Sequence, residues 1–281
     1  MINAALTPAP RQPELNIADL EALRSAVIAL EKNTFAKQMA GMIGRQVGIA
    51  SQLIPSRLQE TATAAASAAL KAALHTALAS LKARPTSSGV NIHRRLAIAS
   101  GAIGGAVGLA SLPIELPLST TIMLRSIADI ARREGEDLRS PETSLACLQV
   151  FALGGHSEEG NLLEGGYFAI RGLFAKSVSD AAHYVAQRRV ADETAPILVK
   201  LIGQIAQRFG FAVTQKAAAQ AVPLLGAVTG AAINLAFIEH FETLARGHFA
   251  IRRLERFYGA PLVRGEYDRI AQELGLDSKR D

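Results

Sequence analysis

Leu96–Ile114 reads LAIASGAIGGAVGLASLPI, nineteen residues without a charge, and Ala217–Ile238 reads AAAQAVPLLGAVTGAAINLAFI, twenty-two more. In the first run Gly101 and Gly105, and Gly104 and Gly108, stand four apart; in the second, Gly226 and Gly230 do. That spacing sets both glycines on one helix face, where the missing side chains let a second backbone approach closely. Neither run shows the alternation or β-branched enrichment of a strand. The two runs therefore predict an all-α protein, a multi-helix bundle with two central glycine-rich apolar helices.

Working outward, the sequence before the first run is amphipathic. Asn16 or Asp19 caps a first helix with Ile17, Leu20, Leu23, Val27 and Leu30 on one stripe. A second helix is expected over 34–51. Arg57–Ala83 is alanine-rich with a narrow leucine stripe, Leu70, Leu74, Leu78 and Leu81. After the first run, Pro113 and Pro117 bracket Glu115, and the expectation is that no helix passes them unbroken. Further helices are expected over 118–134, from Pro141 behind a Ser140 cap to about 153, over 166–189 and over 194–208. The second run continues into a basic helix, 239–258, stopped by Gly259 and Pro261. The expected organisation is a leader, 1–15, a helical region, 16–84, a linker, 85–90, a helical core, 91–262, and a tail, 263–281.

Composition narrows the chemistry. Aromatics are 5% with no tryptophan, which suits close helix contacts better than bulky sheet cores. The single cysteine, Cys147, excludes an intrachain disulfide and a CxxC zinc site. The first fifteen residues lack the basic and apolar regions of a signal peptide. A net charge of +5 favours acidic partners. The basic residues lack aromatic interleaving and no nucleic-acid motif is present, so an anionic lipid surface or a membrane protein is the expected partner.

The first run sits at the margin of membrane insertion. Its strong hydrophobes contribute roughly −2 to −4 kcal/mol, and Glu115 would cost roughly +3 kcal/mol at the bilayer centre. Clean spanning is disfavoured; a buried core helix or a peripheral hairpin remains. Arg94 and Arg95 precede the first run, and Arg246, Arg252, Arg253 and Arg256 follow the second, a pattern that can lie on anionic lipid.

The stretch GAIGGAVGLASLPIELPLSTTIMLRSIADIARREGEDLRSPETSLACLQVFALGG resembles the signature of the EcsC protein family. The matching features are Gly101–Gly108, Pro113 and Pro117, Arg125 with Ile127-Ala128, and Gly135-Glu136-Asp137. Residues 222–234 resemble the family's second signature, and the likeness spans roughly 34–259. The chain departs from the pattern at Glu115. The resemblance implies a bacterial helical protein whose namesake is encoded beside an ABC transporter, and it carries no catalytic residue over.

Other polar groupings offer possible chemistry. His156, Glu158, Glu159 and Glu164 lie in a glycine-flanked stretch and offer metal ligands, but without a paired helical motif. Asp180 with His183, and Glu239-His240 with Glu242, read as local hydrogen-bonding neighbours. Arg125 and Asp129, i and i+4, are expected to form a partly buried polar network with Glu115. No cofactor and no metal is expected. The reading is a peripheral membrane-associated protein at the cytoplasmic face of the inner membrane, linked to transport or envelope function. The alternatives are a metal-assisted hydrolase using the His156–Glu164 stretch, or a structural interaction module.

Overall fold

The computed structural model describes residues 14–32, 56–80, 112–155, 166–187, 194–220 and 227–276. They form eight α-helices, one π-helical turn and no strand. The helices are α1 (Ile17–Val27), α2 (Ser56–Ser80), α3 (Leu112–Arg133), α4 (Pro141–Leu153), α5 (Tyr167–Gln187), α6 (Pro196–Gln220), α7 (Ala227–Tyr258) and α8 (Ala260–Glu273); the π turn, Ile28–Lys32, follows α1.

α1 starts where its cap dictates. The Asp19 amide donates to Asn16 Oδ1 at 2.8 Å, satisfying one of the unpaired N–H groups of the first turn. Leu23, Val27 and Leu30 are buried as their stripe requires, but Ile17 is 81% exposed and lies outside the core. In α2, Leu70, Leu74 and Leu78 are buried beside Ala62, Ala66, Ala69, Ala73 and Ala77. This small-residue face lets α2 lie close to α6 and α3. A Cβ on Gly210 of α6 would stand 2.8 Å from Thr63 Oγ1 and 3.0 Å from its Cα. Gly210→Ala is therefore expected to destabilise the fold by about 1–3 kcal/mol in a denaturant titration, as overpacking against backbone does.

α3 corrects the expectation of a break at the prolines: it begins at Leu112 and runs through Pro117. Pro113 occupies the first turn, where its missing N–H has no helical partner to lose, and Pro117 forfeits a single backbone bond. Burial of Glu115 and Leu116, between the two prolines, holds the turn in place. Of Ala217–Ile238, the described residues belong to the end of α6, up to Gln220, and the start of α7, from Ala227. Ala217, Ala218, Ile233, Phe237 and Ile238 from this run are buried in the core.

α7 is the axis. It packs against α1, the π turn, α3, α4, α6 and α8. Its direction follows from side-chain pairs. Ser126 of α3 donates to Glu242 at 2.6 Å, and Glu134, just beyond α3, accepts from Arg253 at 2.9 Å, so α3 and α7 run parallel. Asn234 meets Lys216 of α6, and Phe237 and Phe241 meet Phe209, so α6 runs antiparallel to α7. Phe151 of α4 completes a cluster of four rings, with centroids 5.0 Å from Phe209 and 5.3 Å from Phe241.

The Gly154-Gly155 pair ending α4 is explained by crowding at this cluster. A Cβ on Gly154 would stand 2.5 Å from Phe241, and one on Gly155 2.4 Å from the Arg208 carbonyl oxygen. Arg208 in turn donates from Nε to the Ala152 carbonyl at 2.7 Å, a cation at the negative end of α4. The predicted tail is structural in its first part: Val263, Tyr267, Ile270 and Ala271 of α8 are buried.

Candidate functional site

The starts of α3 and α7 and the end of α6 come together around Lys216. Its ammonium is fully buried and donates to Glu115 Oε1 at 2.7 Å and to Asn234 Oδ1 at 2.9 Å. It also lies 5.1 Å from the Phe237 ring centroid. A carboxylate, an amide oxygen and an aromatic face together suit a group with three donors and no acceptor. Each charge sits at the helix end that favours it, Glu115 in the first turn of α3 and Lys216 near the end of α6. Burial pulls the Lys216 ammonium below its usual pKa, and Glu115 opposes that pull.

This cluster replaces the expected network of Glu115 with Arg125 and Asp129. Arg125 is exposed, and Asp129 pairs with Arg132 at 3.1 Å. Glu115 and Arg125 are ten residues apart on one straight helix, about 15 Å along its axis, too far to meet.

The arginines of α7 are also used differently from the expectation of a lipid-facing set. Arg252 grips Glu136 through Nε at 2.8 Å and Nη2 at 3.2 Å. Arg253 reaches Asp19 at 2.8 Å and Glu134 at 2.9 Å. Arg256 pairs with Glu136 and donates to the Glu134 carbonyl at 2.6 Å. Burial works against the Glu136 carboxylate, but Arg252 and Arg256 outweigh it and hold its pKa below the usual range. These three arginines clamp the turn between α3 and α4, and the start of α1, onto α7. Arg246 is the most exposed of the four, its side chain 57% exposed and 3.8 Å from Glu242.

A second polar cluster was not foreseen. Tyr167, the first residue of α5, donates its amide to Glu31 Oε1 at 2.9 Å. The same oxygen accepts from the Tyr267 hydroxyl at 2.6 Å. Glu31 thus caps α5 from the π turn. The Tyr167 hydroxyl lies 2.9 Å from His248 Nδ1. Arg171 approaches that hydroxyl at 3.4 Å and forms a two-pronged pair with Glu255 at 2.8 and 2.7 Å. The partners are 81 and 136 residues apart in the chain, so no local motif signals them.

Of the remaining sequence candidates, His156, Glu158, Glu159, Glu164, Arg94, Arg95, Gly101, Gly104, Gly105, Gly108 and Gly226 lie outside the described residues. Gly230 falls in the first turn of α7. His183 meets Gln187 at 2.7 Å, and Glu242 accepts from Ser126. Among the described residues no group of three or more side chains could hold a metal ion. Burial pushes the Cys147 thiol up to about 12, which keeps it protonated. Among the described residues one helix is long and apolar enough to cross a membrane by length and composition, Pro196–Ala218, and more than half of it is buried in the bundle.

These features define an all-α bundle protein stapled by buried and half-buried ion pairs along one central helix. The chain belongs to the EcsC protein family, whose model matches residues 19–254. No curated protein and no solved structure matches it.

Proposed function

We propose that this protein is a peripheral membrane protein that docks end-on, at the cytoplasmic face, on an anionic lipid surface or a membrane protein partner, in support of a transport or envelope function. One observation carries the reading: the helix ends that flank the two apolar runs share one end of the described bundle. Leu96–Ile114 leads into the start of α3, and Ala217–Ile238 joins the end of α6 to the start of α7. Because α3 and α7 are parallel and α6 is antiparallel to them, all three points share that end. The one acid next to the first run, Glu115, is already neutralised by Lys216, so it does not oppose approach to lipid as a free carboxylate would. Since much of the second run is core, the contact is assigned to the first run and its basic flank, His93, Arg94 and Arg95.

Fractionation of native cells tests this. The protein is expected with the membranes, in part released by high salt and fully by alkaline carbonate. Purified protein is expected to float with anionic vesicles, and the R94A/R95A double variant to lose roughly 2 kcal/mol of that binding at about 1 kcal/mol per charge. A wholly cytosolic protein that ignores vesicles would remove the reading.

A further inference from the structure

His248 sits in the second half of α7, fully buried, beside the start of α5. Its Nδ1 meets the Tyr167 hydroxyl, while its Nε2 is buried with no hydrogen-bond partner among the described residues. We propose that the Tyr167–His248 contact is an acid-sensitive latch, which holds the head of α5 against α7 and lets go when His248 takes up a proton.

The argument begins with donors and acceptors. Arg171 can only donate, so at 3.4 Å the Tyr167 oxygen accepts from it; of the hydroxyl's two partners only His248 Nδ1 can accept, and the tautomer that satisfies the buried Tyr167 proton is the one with Nδ1 bare. The imidazole is then a neutral acceptor at Nδ1 and carries its hydrogen on Nε2. Protonation puts a second hydrogen on Nδ1, facing the hydroxyl that was donating to it. Two donors then confront each other, and the hydroxyl must turn away from a site that offers it no other use. The new charge is also poorly placed.

The groups around it are known from each element packed there. On α5 stand Tyr167 and Arg171, and on α7 itself Arg252 and Glu255. Glu136, in the turn before α4, and Glu142, on α4, are turned to Arg252. The π turn brings Glu31, which is turned to the Tyr167 amide and the Tyr267 hydroxyl of α8. On α4 the Cys147 thiol stays protonated, and on α1 Asp19 is taken by Arg253. The nearby carboxylates thus already hold arginines or cap α5, whereas Arg171 and Arg252 repel an imidazolium.

Burial first, then these two arginines, hold the His248 imidazole well below its usual pKa. Above pH of about 6.5 both folded and unfolded chains carry it neutral, and it has no effect on stability. Below that pH the unfolded chain gains a proton that the folded protein refuses, so stability falls as pH falls. The limit for one such group is about a tenfold rise in the unfolding equilibrium constant per pH unit. The loss should appear first where the latch acts, at the α5 head, because Tyr167 also carries the amide that Glu31 caps.

The test uses the full chain in urea titrations at pH 7.0, 6.0 and 5.0, beside His248→Gln, which can still accept from Tyr167 but cannot be protonated there. The wild type is expected to lose stability over this range, and the variant to lose less, by a difference approaching tenfold in the equilibrium constant per unit. Equal losses in both proteins would overturn the latch. Should the variant not fold, wild-type imidazole resonances and amide exchange decide. A His248 ring that stays neutral to pH 5 while the amides of 167–171 lose protection, after correction for the intrinsic rate, supports the latch. A ring that titrates near 6.5 with protection unchanged overturns it.

Discussion

Lys216→Met is expected to destabilise the protein by about 3–5 kcal/mol, because it leaves the Glu115 carboxylate buried without its cation. The side chain it replaces has no exposed surface, so the lost charge is not made good by solvent. The shape is roughly kept, so cavity formation adds little and the loss reports the electrostatics. Replacing both partners, as Glu115→Leu with Lys216→Met, should recover most of the stability, since a buried pair gains little over apolar side chains that fill the same space. A double-mutant cycle in denaturant separates the two effects. If the single and double variants prove equally unstable, the pair is not the source of the loss and packing around the Lys216 side chain is.

Phe209→Ala should cost about 3–5 kcal/mol for a different reason. Its ring is fully buried and has neighbours on three sides, with centroids 5.0 Å from Phe151, 5.5 Å from Phe241 and 5.9 Å from Phe237. These belong to α4 and α7, so the surrounding helices cannot collapse into the gap without moving the α4–α6 crossing. That crossing is fixed by Gly155 against the Arg208 carbonyl and by Arg208 on the end of α4. The loss should therefore lie at the upper part of the range for an aromatic deletion, with the denaturant slope unchanged. Phe209→Leu, which keeps most of the volume, should cost much less.

The helices themselves were legible because their signals are local. Asn16 and the Ser140-Pro141 pair mark helix starts, and the leucine spacing of 70, 74 and 78 marks a buried face. The prolines of α3 misled, since a proline inside the first two turns costs few bonds and the burial of its neighbours outweighs them. Ile17 misled in the other direction: it has the right spacing for the stripe, but α7 and α8 do not reach it. Charged residues were the least legible. The expected partners of Arg125 and Glu115 were sought along one helix, whereas Glu115 found Lys216 a hundred and one residues away. The arginines of α7 look like a lipid-binding face in the sequence because the acids that neutralise them come from α1 and from the turn between α3 and α4. His248 gave no signal at all, because its partner is defined only once the first turn of α5 is brought beside α7.

By itself the sequence determined the all-α class, the apolar faces of most helices and the EcsC family, since periodicity, caps and glycine spacing act over a few residues and survive without a tertiary context. Only the tertiary structure decided which charge meets which, that the start of α3, the end of α6 and the start of α7 share one end of the bundle, and that a histidine is buried at the head of α5. A charge carries no address in the chain: its partner is set by whichever element the packing of apolar faces brings within a few ångströms of it.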